Sequence, residues 1–492
     1  MFVSRLALDD FRSWHQLVLD FAPGLNVLFG ANGMGKTNIV EAIEVLSTGG
    51  SHRANGSVPL VKAGEKTAVI RANVNETAAE VTGVGAVSRA GASDAETGDS
   101  PTETVTYEVS IPVRGANRAR INSGKSLYMR DVVGRVPSVT FSPEDQRLVS
   151  ADPATRRAFL NQSASQLRLD YYETLQRFNQ TAKQRSTLLR QLSQQQIAGR
   201  PVDAALSGLE IWTGQFIESG VALTRMRRQI VKQLSEPFSR IYRQLAGDRN
   251  RVRLIYAPSF EEVLSIPQAL AQETDHVSTN VDSDLLGVAD SGNAPAGSGV
   301  SPDLDMQVHA AISRHFQRIY PGEVAQGRNL IGPHRDDLIV ELNGMTAREY
   351  ASNGEMWTLA LALRMAVFEM LSAERGTTPI LILDDVFAQL DDSRRRQIVD
   401  FARKQSQVII TMAARGDLPD GLENGDGDAA DGSGNDVNGA VNLIDVGELA
   451  ERMEAMFAVP DISQFMTKTD TNGDGAAGVT SRETETGKGT DR

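Results

Sequence analysis

The residues with the clearest chemistry in this 492-residue chain form one octapeptide, Gly30-Ala31-Asn32-Gly33-Met34-Gly35-Lys36-Thr37. It fits G-x-x-x-x-G-K-[ST], in which glycines let backbone N–H groups converge on phosphate oxygens. Lys36 would carry a point charge to the β- and γ-phosphates, and the Thr37 hydroxyl would coordinate Mg²⁺. The pattern needs a strand before the loop and a helix after it. The apolar run Leu25 to Phe29 precedes it and a predicted helix, Asn38 to Leu46, follows. That helix start adds its dipole to the anion site. A second Gly-Lys-Ser, Gly124-Lys125-Ser126, has Ala119 where the first glycine belongs and no strand-to-helix switch around it.

The matching acids come far downstream. Ile380-Leu381-Ile382-Leu383-Asp384-Asp385 is an apolar run ending in two carboxylates. A buried strand there delivers Asp384 to the phosphates, to hold Mg²⁺ through water, and leaves Asp385 to polarise the attacking water. ATP and Mg²⁺ are the expected cofactors, with Lys36 and Asp385 as catalytic residues and Thr37 and Asp384 as metal ligands. A third element, Ser352-Asn353-Gly354-Glu355, opens a predicted helix, Met356 to Leu371. Ser352 is suited to cap that helix, and Gly354 to allow close approach of a phosphate. Alone this turn would be an ordinary helix start; just ahead of Asp384 it becomes a nucleotide-binding candidate.

These motifs need elements to position them. Residues 1–150 read as strand-rich, with runs at Phe2 to Leu8, Leu17 to Phe21, Val69 to Val74, Val105 to Val113 and Val136 to Phe141. Residues 151–325 read as an inserted helical arm. Ala154 to Gln196 and Val202 to Ala246 are predicted as long antiparallel helices, parted by Gly199-Arg200-Pro201. Residues 326–447 return to strand–helix alternation, and 448–492 read as a flexible tail. Three stretches poor in apolar residues, 77–103, 272–303 and 416–439, are expected as disordered insertions. The fold class is therefore α/β, with a P-loop, Rossmann-like head assembled from both chain ends around a mainly helical arm.

Composition excludes whole classes of function. There is no cysteine, hence no disulfide, thiolate catalysis or Cys-ligated zinc, in keeping with a reducing cytoplasm. No run approaches the ~20 apolar residues of a membrane span, and the first ten residues lack a signal core. The formal net charge of −13 argues against a polyanionic partner, but it is unevenly spread. Pro153 to Arg253 holds seventeen Lys/Arg against seven Asp/Glu, whereas Asp417 to Asp436 holds seven acids and no Lys or Arg. One basic region is compatible with DNA. Of the six histidines, His334 in Pro-His-Arg-Asp is expected to bond locally, while Arg12 and Arg53 are candidates to reach the nucleotide. Asp470-Thr471-Asn472-Gly473-Asp474-Gly475 opens like an EF-hand loop but has Ser481 where the bidentate Glu belongs.

Two nucleotide half-sites at opposite ends with a helical excursion between them resemble the ABC-type ATPases of the SMC and RecF kind. The likeness to the RecF family extends through Leu8-Asp9-Asp10-Phe11-Arg12-Ser13-Trp14, Ser51-His52-Arg53, Phe141-Ser142-Pro143-Glu144-Asp145, Arg156-Arg157-Ala158-Phe159-Leu160 and Gly332-Pro333-His334-Arg335-Asp336-Asp337-Leu338. It covers Phe2 to Val446. Gln389 stands where related families usually have Glu, Thr411 where ABC proteins carry a switch histidine, and Gln146 is the nearest candidate for a middle-loop Gln. The resemblance implies that Ser352, Gly354 and Glu355 contact the γ-phosphate of a second copy, giving a homodimer on ATP. It further implies slow hydrolysis, sequence-nonspecific binding to gapped or junction DNA, and a RecR-type mediator protein as partner in loading a recombinase. The alternatives are an SMC-like or nuclease-linked ATPase, whose coiled coil or metal domain is not apparent, and an ABC transporter subunit, which Thr411 and the arm disfavour.

Overall fold

The computed structural model describes residues 1–54, 56–77, 102–199, 203–266, 302–390, 392–419, 422 and 441–457. The strands are β1 (Phe2–Phe11), β2 (Trp14–Asp20), β3 (Gly24–Phe29), β4 (Thr67–Thr77), β5 (Thr102–Pro112), β6 (Arg118–Ile121), β7 (Leu127–Tyr128), β8 (Ser138–Phe141), β9 (Val252–Ala257), β10 (Asp337–Leu342), β11 (Met345–Thr346), β12 (Ile380–Asp384), β13 (Gln407–Met412) and β14 (Asn442–Asp445). The longer helices are α1 (Lys36–Thr48), α2 (Pro153–Leu167), α3 (Leu169–Ile197), α4 (Asp203–Ala246), α5 (Pro302–Gln326), α6 (Asn353–Arg375), α7 (Asp392–Ala402) and α8 (Val446–Phe457).

The central sheet is parallel, in the order β14-β3-β13-β12-β8. The strand that feeds the phosphate loop thus sits between strands from the far end of the chain. Every residue of β12 and β13 is buried, as a parallel strand covered on both faces requires. The period-2 alternation sorts their side chains: Ile380 and Ile382 join the core that holds Leu6, Leu8, Ile39 and Ile43, while Leu381 and Leu383 join the core that holds Phe141, Leu359 and Phe368. An antiparallel sheet, β2-β1-β4-β5-β6-β7, covers the first side together with α1, and α6 packs with α2 and α4 on the second. A three-stranded sheet, β11-β10-β9, joins the arm to the return segment.

The arm is the antiparallel pair α3 and α4 with α5 against both. With 44 residues, α4 runs about 66 Å at 1.5 Å per residue. Two buried arginines tie this layer together. Arg185 donates to Glu323 at 2.6 and 3.0 Å, to Asn329 at 2.7 Å and to Thr213 at 2.9 Å. Arg227 donates to Asp336 at 2.9 Å, to the Pro333 carbonyl at 2.7 Å, to Asn161 at 2.9 Å and to the Tyr171 hydroxyl at 3.1 Å. Burial opposes the Arg227 charge, but Tyr171, Tyr256 and Asp336 outweigh it and raise its pKa. Removing Glu323 or Asp336 would leave a buried arginine charge uncompensated, at a cost of about 3–5 kcal/mol.

Several sequence expectations are corrected. The first long arm helix is two, because Arg168 turns extended between α2 and α3. The stretch 77–103 is flanked by paired strand, with Thr77 opposite Thr102 and Glu76 opposite Glu103; 78–101 lie outside the described residues. Asp303 belongs to α5 rather than to an insertion. In 416–439, Leu418 and Leu422 are buried in the core, following a short 3-10 turn at Arg415–Asp417, because two apolar side chains within reach of the core are removed from water there. The expected flexible tail begins as α8, whose Val446, Leu449 and Met453 are buried at helical spacing. The EF-hand-like segment lies outside the described residues. Among them α6 alone is long and apolar enough to cross a membrane, and it is mostly buried as a core helix.

Candidate nucleotide site

The parallel register aligns three strand ends. Leu28 pairs with Thr411 and Thr411 with Asp384, so β3 opens into its loop beside the acids. Gly35 caps α1 at φ 93°, a left-handed geometry that suits glycine. A Cβ there would stand 2.8 Å from both Ser13 Oγ and Trp14 Nε1. The β1–β2 turn is docked on the loop: Trp14 Nε1 donates to the Gly35 carbonyl at 3.2 Å, and Asn38 Nδ2 to Ser13 Oγ at 2.8 Å. No side chain caps α1 and no acid lies in its first turn. Its N–H groups are left for an anion.

Lys36 Nζ donates to the carbonyls of Gly30 at 2.5 Å and Ala31 at 3.0 Å. Burial lowers its pKa, while Asp385 and Asp384 pull the other way. Thr37 Oγ1 donates to Asp384 Oδ1 at 3.0 Å, joining positions 347 apart in the chain. A hydroxyl and a carboxylate side by side are the hard oxygen donors that Mg²⁺ takes, so Thr37 would hold the ion directly and Asp384 through water. Asp384 is 6% exposed, and burial raises its pKa against the hydrogen bonds from Thr411 and Thr37. A nearby cation would restore its charged form.

Asp385 leaves the strand at φ 52°. This uncommon conformation for a side-chain-bearing residue turns it from the sheet into the cleft. That cleft is lined by Asn32, Gly33, Gly35, Lys36, Thr37, Asn38, Arg53, Asp385 and Thr411. Thr411 supports both acids: its Oγ1 donates to Asp384 Oδ1 at 2.6 Å and accepts from the Asp385 N–H at 3.0 Å. The sequence marked this position only by its missing histidine. Its place at the end of an apolar strand was the available signal.

Of the two candidate arginines, Arg53 lines the cleft and bonds Asn38 and Glu41 at 3.3 and 3.2 Å. Arg12 instead pairs with buried Glu41. His52 bonds Glu44 at 2.6 Å; burial disfavours the imidazolium, yet Glu44 prevails and raises the pKa. His334 is enclosed by Phe178 and Phe216, and its Nε2 lies 3.4 Å from the Asn329 carbonyl. Desolvation lowers its pKa to about 4.

The Ser352–Glu355 turn stands apart, and none of its residues lines the Lys36 cleft. Ser352 caps α6: its Oγ accepts from the Glu355 N–H at 3.3 Å and donates to Glu355 Oε2 at 2.7 Å, while its own N–H donates there at 2.9 Å. Those bonds lower the Glu355 pKa. Gln146 donates to the Asn353 carbonyl and to Asn353 Oδ1, both at 3.3 Å, so it meets this turn rather than the phosphate cleft. Gly124-Lys125-Ser126 lies between β6 and β7 and leads into a strand rather than an α-helix. The Gln389 side chain and Asp391 lie outside the described residues.

Residues 2–421 match the family model described as the RecF/RecN/SMC N terminal domain. The DNA replication and repair protein RecF of Bifidobacterium longum subsp. infantis is 55% identical over 420 residues, covering 85% of this chain and 87% of that protein. That of Bifidobacterium adolescentis is 53% identical over 86% and 89%, and that of Frankia alni 36% over 85% and 95%. A solved RecF–ATPγS structure, described as a recombination mediator in the RecFOR pathway, superposes with a TM-score of 0.64 at 24% identity, covering 85% of this chain and 94% of that one. The fold is thus that of an ABC-type ATPase head, and by sequence the chain belongs to the RecF family.

Proposed function

We propose that this chain is an ATP-dependent DNA-binding protein of recombinational repair and replication restart, a slow cytoplasmic ATPase that closes as a homodimer on ATP. The observation that carries the nucleotide reading is the 3.0 Å bond between Thr37 and Asp384, beside a helix start that no side chain satisfies. The backbone from Gly30 to Thr37 wraps the phosphates. Lys36 gives up its loop carbonyls for the β- and γ-oxygens, an exchange of partners that leaves its charge paired. Thr37 and Asp384 would hold Mg²⁺, which neutralises phosphate charge when bound. Asp385 orients the attacking water, and Thr411 holds Asp385 by its backbone.

Ser352, Gly354 and Glu355 are absent from their own cleft, which supports their use across a dimer. DNA binding is supported by exposed cations on the arm, among them Arg177, Lys183, Arg190, Arg228, Lys232 and Arg243. Arg185 and Arg227 are not available to it, being buried in ion pairs. Contacts of this kind meet phosphate without reading sequence. The 55% and 53% identical relatives are named as DNA replication and repair proteins, and a RecR-type mediator is the proposed protein partner.

Gel retardation of gapped, duplex and single-stranded DNA with and without ATP tests the reading. Retention should require ATP, favour gapped DNA and fall steeply with salt. ATP-independent retention, or none, rejects it.

A further inference from the structure

Gly354 has a neighbour in its own molecule. A Cβ there would stand 2.8 Å from Nη2 of Arg394. That nitrogen donates to the Gly354 carbonyl at 3.2 Å, and Arg394 Nε reaches Thr358 Oγ1 at 3.4 Å. Thr358 Oγ1 donates in turn to the Gly354 carbonyl at 3.0 Å. Arg394 stands on α7, the first long helix after the Asp384–Asp385 pair. Its neighbour Arg395 donates to the Phe387 carbonyl at 3.1 Å, in the turn that follows Asp385. Gln397 donates to the Leu245 carbonyl at 3.2 Å, at the end of α4. One turn of α7 thus grips the Ser352–Glu355 turn, the segment behind Asp385 and the base of the arm.

Helix stability does not account for Arg394. A cation beside the first turn of α6 works against the helix dipole. A planar guanidinium presents donors in fixed directions to a carbonyl and a hydroxyl together, whereas an ammonium is a rotatable point charge on a flexible stem, and a Cβ at 354 would push the guanidinium tip aside.

We propose that Arg394 is a positioning residue for hydrolysis. It locks the Ser352–Glu355 turn to α7, so that the turn applied to a partner's γ-phosphate and the Asp385 segment of the same molecule move as one piece. The claim rests on the dimer proposed above. Glycine at 354 then serves the guanidinium as much as the phosphate, and a methyl group there would act by displacing Arg394.

A double-mutant cycle tests it, with Gly354→Ala, Arg394→Ala and both together. The readouts are steady-state ATP hydrolysis, binding of a fluorescent ATP analogue, and molecular mass with ATP by light scattering. Arg394→Ala should lower kcat about tenfold while KM and analogue affinity change less than about twofold. The double variant should be no slower than the slower single one. Arg394→Lys should regain part of the lost kcat, and Arg396→Ala, on the exposed side of α7, should match the parent. Additive losses, or Arg394→Ala turning over within twofold of the parent, overturn the proposal even if ATP still drives assembly. A parent protein that stays monomeric with ATP overturns the dimer reading, and this proposal with it.

Discussion

The two helix starts that carry the nucleotide motifs are finished in opposite ways. At α1, a left-handed glycine and an acid-free first turn leave the N–H groups without a side-chain cap. At α6, Ser352 and Glu355 close a reciprocal capping box. The first is incomplete without an anion. The second is stable alone, because two of its orphan donors, the Ser352 and Glu355 N–H groups, are met and a carboxylate already sits at the positive end of the dipole. A phosphate reaching Ser352 must therefore displace Glu355 from the serine hydroxyl. The cleft thus offers unmet donors within one molecule, whereas the turn lies outside that cleft, as the proposed dimer requires.

This contrast can be broken at either end. Lys36→Met removes the charge that the cleft offers to phosphate, and nucleotide affinity should fall by about a hundredfold or more; titration with a fluorescent ATP analogue checks it. Unchanged affinity would show that the loop is not the phosphate site. Ser352→Arg should act at the other end, keeping analogue affinity within about twofold while abolishing the mass increase with ATP in light scattering. A matching loss of affinity would mean that the turn serves its own cleft. Thr411→Val removes a hydroxyl bonded to both acids but keeps the shape, and kcat should fall by about three- to tenfold for a lost hydrogen bond of about 1 kcal/mol. Equal kcat would leave Asp385 positioned by its backbone turn alone.

Local pattern made much of this legible. The phosphate loop, the apolar strand ending in Asp384-Asp385 and the capped turn at Ser352 are each encoded within about ten residues, where glycine placement, apolar runs and capping act directly. The helix α8 was missed for the converse reason. Its buried residues are only Val446, Leu449 and Met453, and so short a helix is held by packing rather than by its own propensity. Leu418 and Leu422 were hidden in an acidic stretch for the same reason: two leucines set no period, yet each finds the core. Arg168 escaped notice as a break because arginine favours helix and only the tertiary path demands the turn.

The sequence by itself determined the kind of chemistry, since residue types and their near-neighbour spacing decide what a loop can bind. Tertiary structure decided the contacts by which distant groups meet, both for Thr37 and Asp384, which their motifs had already paired, and for pairs that no motif marks. Thr37 meets Asp384, Arg227 meets Asp336 and Arg394 meets Gly354, because strand order and helix packing place them there, and no periodicity in a chain records a meeting of two segments that are folded together from far apart.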